Sequence, residues 1–179
     1  MAEISPKERA LRRDVMLMVL LFSVSTPMML SAVNVALPSM AEDLQLDALI
    51  LSWVPMSFLM ASAALVLAFG RIADMVGRKK VFLIGLTALI LSSVLAATAD
   101  SGIALVLYRL IQGTAAAMLY ATHVAIVSSA YPPSERGRMI GLSISMIYIG
   151  LTCGPLVGGW LTSLFSWRAS FLVHVPLCL

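Results

Sequence analysis

The chain has 179 residues, of which 60% are apolar and 12% are charged, and its mean hydropathy is +0.98. This composition excludes an ordinary soluble domain and predicts an all-α protein that crosses a membrane several times. The net charge of +3 does not indicate binding to nucleic acid, because most basic residues fall in the short loops on one predicted side of the membrane.

Apolar segments of membrane-spanning length follow one another along the whole chain. We predict a cytoplasmic tail over residues 1–14 and one incomplete N-terminal transmembrane domain over residues 15–179. The predicted helices cover about 15–38, 48–70, 81–99, 102–130 and 135–164, with a partial sixth at 168–179. The expected fold is therefore a polytopic bundle of five complete transmembrane helices plus a truncated sixth.

The loop charges predict the orientation. Lys and Arg residues precede the first predicted helix and follow the second and fourth, whereas the opposite loops carry Glu42, Asp43, Asp47 and Asp100. Because basic loops stay on the cytoplasmic side, we predict a multi-pass protein of the cell (inner) membrane with a cytoplasmic N-terminus.

The charged segment between the second and third predicted helices is the first candidate site. Its glycines permit backbone conformations or close approaches that a Cβ would block. Asp74 lies close enough to Arg78 to form a local charge network at the membrane surface. The alternative is a plain topogenic loop in which Asp74 is only solvated. The candidate residues are Gly70, Arg71, Asp74, Gly77, Arg78 and Lys79.

Arg109 is the second candidate, since it lies within the apolar run of the fourth predicted helix. A cation at that depth costs about 2.5–3.5 kcal/mol on insertion scales, so it should face the bundle interior or a water-filled cavity. Gln112 shares its helix face, and Gly113 permits another helix to approach. The alternative is an Arg109 side chain that extends to the outer interface.

Small residues on the fifth predicted helix form the third candidate. Gly150, Gly154 and Gly158 recur every four residues and make one smooth face on which a second helix can pack closely. Pro155 removes one backbone hydrogen bond and bends the helix, and Gly159 completes the motif. Ordinary helix packing without further meaning is the alternative.

These motifs resemble, in order, those of major facilitator superfamily transporters. The first has the pattern Gly-x-x-x-Asp-x-x-Gly-Arg-Lys from Gly70, and the second is the run Tyr108 to Gly113. The third, Gly-x-x-x-Gly-Pro-x-x-Gly-Gly from Gly150, is similar to the superfamily's antiporter motif. The run Asn34 to Pro38 further resembles the fourteen-helix drug/proton antiporter branch. The resemblance implies the N-terminal half of such a transporter.

The resemblance also implies a function and partners. It implies proton-coupled efflux of small lipophilic compounds or drugs by alternating access, with the bilayer, a small-molecule substrate, protons and a C-terminal half as partners. Asp74 and Arg78 would belong to the cytoplasmic gate, and Arg109 and Gln112 to proton coupling or to the cavity. The helix-5 motif would line the contact between the two halves.

One position departs from the branch. Many members carry a carboxylate in helix 1 where this chain has Met29. Arg109 is thereby left without an obvious acidic partner inside the predicted helices. His123 is the only side chain of the fourth predicted helix that titrates near neutral pH; hydrogen bonding near the cytoplasmic interface is its expected role.

Other classes of protein stay open as alternatives: a truncated fragment without transport activity, a half-size carrier that works as a dimer, or a membrane-embedded enzyme. The predicted helices hold no nucleophile with a base and no metal-like spacing, so we expect no catalytic residues, metal or cofactor. Cys153 and Cys178 lie in apolar runs and are expected to be buried free thiols.

Overall fold

The computed structural model describes residues 6–173 and 175–178 of the chain. Within them every regular element is an α-helix. Five long helices are followed by two short ones: α1 (Pro6–Asp43), α2 (Ala48–Val76), α3 (Arg78–Ala97), α4 (Gly102–Ala130), α5 (Pro133–Leu164), α6 (Ala169–Leu172) and α7 (Val175–Cys178).

The five long helices are all long and apolar enough to cross a membrane. Side-chain caps start two of them after short loops. The Asp47 carboxylate accepts a hydrogen bond from the Ile50 N–H at 2.7 Å at the start of α2, and the Ser101 hydroxyl accepts one from the Ala104 N–H at 3.3 Å at the start of α4. Each cap satisfies a backbone donor that the helix leaves free.

The long helices pack in two groups, and α4 of the second group also contacts both helices of the first. Helix α1 runs along α5, whereas α2 and α3 both run along α4, and the short α6 and α7 contact α1 and α3. Side chains from several helices meet in one apolar core, which includes Met29, Phe58, Leu89, Leu119 and Phe171. Helix α4 therefore lies at the centre of the part of the bundle that the structure describes.

Large apolar side chains also cover the outside of the bundle. Leu67 on α2 and Leu156 and Trp160 on α5 are exposed, as suits helices whose outer faces meet lipid. Cys153 is also exposed on α5 and carries a free thiol, so its predicted burial was wrong: it lies on the outer face of an apolar helix. The side chain of Cys178 lies outside the described residues.

The connection between α2 and α3 is shorter than the sequence suggested. Helix α2 continues to Val76 and α3 begins at Arg78, so Gly77 alone joins them, with a φ of 110°. Residues with a Cβ rarely adopt this backbone conformation, whereas glycine does so readily. Gly70 instead lies inside α2, and a Cβ added there would meet no atom of the described residues within 4 Å. A special role for the Gly70 backbone was thus wrong, because α2 continues past the apolar boundary.

A buried arginine cluster as the candidate functional site

Arg109 lies on the inner face of α4 and is completely buried. Its Nε donates a hydrogen bond to the carbonyl oxygen of Val54 on α2 at 3.1 Å. Its Nη1 donates to Oε1 of Gln112, one turn further along α4, at 2.5 Å. The side chain therefore points into the bundle and does not extend to the outer interface.

Gln112 extends this contact to two further helices. Its Nε2 donates to the hydroxyl of Ser93 on α3 at 2.6 Å and lies 3.3 Å from the sulfur of Met29 on α1. We call Arg109, Gln112, Ser93 and Met29 the arginine cluster. Together with the Val54 carbonyl it connects α1, α2, α3 and α4 in the interior of the bundle.

Two aromatic rings cover the guanidinium. Its carbon lies 4.4 Å from the ring centroid of Phe58 on α2 and 5.8 Å from that of Phe171 on α6, within range for cation–π attraction. No carboxylate of the described residues forms an ion pair with Arg109, and its buried Nη2 has no hydrogen-bond partner there. The charge of the guanidinium is thus surrounded by carbonyl and amide dipoles and by aromatic rings, and no counter-ion among the described residues balances it.

Gly113 allows α2 and α4 to come this close. A Cβ added to Gly113 would overlap the carbonyl oxygen of Phe58 and lie 3.0 Å from the Cβ of Ala61. Only a residue without a side chain fits there, and the same close approach brings the Val54 carbonyl within reach of Arg109. The spacing of Arg109, Gln112 and Gly113 indicated a shared region of α4, but nothing in it pointed to Ser93 or Phe58.

The charged segment at the junction of α2 and α3 lies apart from the arginine cluster. Asp74 Oδ1 accepts from Arg78 Nε at 3.1 Å and lies 3.0 Å from Arg78 Nη2. Both side chains are largely exposed, and so are Arg71 and Lys79. This ion pair joins the last turn of α2 to the first residue of α3 across Gly77.

The glycine face of α5 packs inside the bundle. A Cβ on Gly150 would overlap the carbonyl oxygen of Val24 on α1, and one on Gly158 would come 2.5 Å from the Cα of Ala32. The expectation that Gly150, Gly154 and Gly158 meet a second half was therefore wrong. A four-residue repeat makes a face for close packing, and α1 occupies that face.

The other two residues of the α5 motif have different surroundings. Among the described residues, only a methyl carbon of Val35 lies near Gly159, 3.9 Å from where its Cβ would be. Pro155 is exposed, and the hydroxyl of Ser31 on α1 donates to the Leu151 carbonyl oxygen, one turn before Pro155, at 3.1 Å. The sequence did not single out Ser31, since a lone serine in an apolar helix carries no signal of its partner.

A second polar cluster joins three segments at one end of the bundle. Oδ2 of Asp43, the last residue of α1, accepts from Trp167 Nε1 at 2.9 Å and from Arg168 Nη1 at 2.6 Å. Arg168 Nη2 donates to the carbonyl oxygen of Ala99 at 3.2 Å. The guanidinium also lies over the Trp167 ring, 4.4 Å from its centroid. Opposite charges in outer loops were visible in the sequence, but their pairing was not.

His123 is half-buried on α4 and its Nδ1 lies 3.2 Å from the Tyr120 carbonyl oxygen. Its ring also lies 6.2 Å from that of Phe22. Within the described part of the chain, no three His, Cys, Asp or Glu residues are grouped closely enough to hold a metal ion.

Membrane-length helices around a buried polar cluster are the architecture of a polytopic membrane protein. Residues 19–179 match the sequence profile of the Major Facilitator Superfamily, and the chain belongs to that family. Family membership points to a transporter rather than an enzyme. The helices fit the N-terminal bundle of the family fold.

The chain is similar to several named transporters. It is 30% identical to the riboflavin transporter RibZ of Clostridioides difficile, over 82% of this chain and 32% of that protein. It is 32% identical to the methylenomycin A resistance protein of Bacillus subtilis, with the same shares. With the multidrug resistance protein Stp of Mycobacterium tuberculosis the identity is 35%, over 81% of this chain and 27% of Stp. The chain thus spans about a third of the length of these relatives.

Proposed function

We propose that this chain is the N-terminal half of a secondary active exporter of small lipophilic compounds or drugs. Family membership supports transport. The names of the methylenomycin A resistance protein, of Stp and of the cephamycin export protein CmcT of Amycolatopsis lactamdurans support the outward direction. The observation that carries the proposal is the completely buried Arg109, which through Gln112 belongs to a cluster that connects four helices.

A guanidinium at this depth has no purely structural advantage. Its desolvation is costly, and a well-packed apolar residue of similar volume is often as stable or more so. Charged residues that persist inside a membrane bundle generally serve transport or coupling. Arg109 therefore supports an active role for the arginine cluster, beyond holding the helices together.

In the proposed mechanism, substrate binds near the bilayer midplane between this bundle and a second one. Rocking of one bundle against the other exposes it to each side in turn. The arginine cluster makes α1 to α4 move as one body, and the Asp74–Arg78 pair serves at the cytoplasmic gate. Proton influx drives the cycle. Because Met29 lies beside Gln112, we place the proton-binding carboxylate outside the arginine cluster.

The orientation and membrane are part of the proposal. The chain lies in the cell (inner) membrane with its N-terminus and the α2–α3 junction in the cytoplasm. Reporter fusions test this: one placed after Lys80 or Arg138 should read cytoplasmic, and one at Asp100 should read external. An external signal after Lys80 would reject this orientation.

The transport proposal is tested with the protein expressed from its complete gene in inside-out membrane vesicles. A panel of lipophilic dyes and riboflavin is offered, and uptake into the vesicles is followed before and after the proton gradient is collapsed. We expect gradient-dependent uptake of dyes that Arg109→Ala abolishes at normal protein levels. The control is Lys80→Gln, which removes an exposed cation outside the arginine cluster.

Each outcome has a defined meaning. Dye uptake that survives collapse of the gradient would reject proton coupling. Uptake unaffected by Arg109→Ala would reject a role for the arginine cluster. Uptake of riboflavin alone would replace drugs by a flavin as the substrate class.

A further inference from the structure

The bond between Ser31 and Leu151 lies where α5 cannot complete its own hydrogen bonding. In an unbroken helix the Leu151 carbonyl would accept from the N–H of the residue four positions later, which here is Pro155. Proline has no N–H, so this acceptor loses its intrahelical donor. The hydroxyl of Ser31 on α1 donates to that carbonyl oxygen at 3.1 Å, so a neighbouring helix supplies the missing donor.

The residue before the proline makes this contact possible. A Cβ added to Gly154 would lie 2.6 Å from the Cβ of Ser31 and 2.7 Å from the Met28 carbonyl oxygen. Any side chain at position 154 would push α1 away and take the Ser31 hydroxyl out of reach. Gly154 and Pro155 thus have complementary effects, since the glycine lets α1 approach and the proline leaves an acceptor for it.

We propose that Ser31 is a positioning residue that replaces the N–H missing at Pro155 and holds this turn of α5 against α1. The two helices α1 and α5 then move together. The effect of this bond on export rests on the proposed function; its effect on the position of α5 does not. The Gly-Pro pair acts inside this bundle through a serine on another helix.

A double-mutant cycle tests the proposal, because alanine at position 155 restores the backbone N–H. Ser31→Ala leaves the Leu151 carbonyl unpaired when residue 155 is proline. In the Pro155→Ala background the restored backbone N–H donates to that carbonyl, so Ser31→Ala should have no further effect. Coupling between the two substitutions is therefore the specific prediction.

Cys153 provides a reporter on the same helix, since its thiol is exposed. All other cysteines are replaced by serine, and the rate of alkylation by N-ethylmaleimide is measured in membranes. We expect Ser31→Ala to change this rate about threefold, the population change that corresponds to an average interhelical hydrogen bond in a membrane protein. It should leave the rate unchanged when Pro155 is already alanine.

Ser145→Ala is the matched control, because the Ser145 hydroxyl donates to the Gly141 carbonyl of its own helix at 3.0 Å. It removes a hydroxyl from α5 without removing a bond between helices, and the alkylation rate should stay at the wild-type value. Equal effects of Ser31→Ala in both backgrounds, or none in either, would overturn the proposal.

Export kinetics separate positioning from the proposed function. If both hold, Ser31→Ala lowers kcat about threefold with an unchanged KM, and Pro155→Ala removes this difference. Coupling in the alkylation rate without any export by the wild-type protein would reject the proposed function and support the positioning role. Export without coupling in the alkylation rate would do the reverse.

Discussion

Arg109 and Arg168 carry the same charge in opposite surroundings. Arg109 is completely buried, and among the described residues it bonds a backbone carbonyl and an amide but no carboxylate. Arg168 lies at one end of the bundle, is partly exposed and is paired with Asp43 at 2.6 Å. At the surface a counter-ion is available and water screens it, whereas inside the bundle the charge depends on fixed dipoles and aromatic rings.

The two arginines differ in what their contacts contribute to stability. The Arg168–Asp43 pair costs little to form, because both ions stay partly hydrated. It mainly fixes how α1, the α3–α4 loop and the start of α6 meet. The arginine cluster is costly because its guanidinium is fully desolvated. A feature that lowers stability persists when the protein uses it, so the two arginines should respond to substitution in opposite ways.

The largest expected effect follows replacement of Arg109 by Met, which is similar in length and uncharged. Export should fall at least about 100-fold, the size of a coupling energy near 3 kcal/mol. The substitution removes the cost of burying a charge, but it also leaves Gln112 without one hydrogen-bond partner. Because these two effects on stability oppose each other, the free energy of unfolding should change by less than about 2 kcal/mol. Transport assays and thermal unfolding in detergent measure the two quantities.

Arg109→Lys sharpens this result, since it keeps the charge but loses the planar fork that contacts Val54 and Gln112 together. It should also impair export. A large loss of stability in Arg109→Met would contradict the comparison, because it would make the arginine a structural support.

Gly113→Ala should have the second-largest effect, because it prevents the close approach of α2 to α4. The new Cβ would overlap the Phe58 carbonyl oxygen, and forcing the helices apart should destabilise the protein by about 1–3 kcal/mol. Gly141→Ala is the control. Gly141 lies on α5, an added Cβ would meet no atom of the described residues within 4 Å, and the substitution should stabilise by up to about 1 kcal/mol. Equal thermal midpoints for the two variants would reject this account.

Arg168→Gln should have a smaller effect and should lower stability, because it relieves no buried charge. It removes the bonds to Asp43 and Ala99 and the stacking on Trp167, so the thermal midpoint should fall, but by less than for Gly113→Ala. Because the pair is partly hydrated, the difference from wild type should shrink between about 0.05 M and about 1 M salt. A difference independent of salt would show that packing dominates over charge.

The smallest change in stability is expected for Asp74→Asn. Both side chains of the Asp74–Arg78 pair are exposed, and exposed pairs of this spacing contribute at most roughly 0.5 kcal/mol to stability. A role at the cytoplasmic gate predicts lower export without a measurable change in thermal midpoint. Wild-type export by Asp74→Asn would reduce this pair to a solvated surface contact.

The long helices could be foreseen because the length of an apolar run limits what can cross a bilayer. The inward position of Arg109 could also be foreseen, since a guanidinium in hydrocarbon must find polar partners. Its partners could not. Val54 precedes it by 55 positions, and Ser93 precedes Gln112 by 19, and no local spacing encodes such separations.

Two of the wrong interpretations show where local reasoning ends. Gly70 was taken as a turn residue, but a helix continues past the membrane boundary when its charged side chains reach water. Gly150, Gly154 and Gly158 correctly indicated a face for close packing, yet the repeat could not say which helix would occupy it. The structure assigns that face to α1.

The sequence alone determined that the chain is a bundle of membrane-spanning helices and that Arg109 and Gln112 share one face of α4, because length and helical period act locally. Only the tertiary structure decided that Met29 and Ser93 contact Gln112, that Phe58 covers the guanidinium, and that Ser31 bonds the carbonyl left free by Pro155. These contacts depend on which helices become neighbours, and packing of whole faces sets that choice.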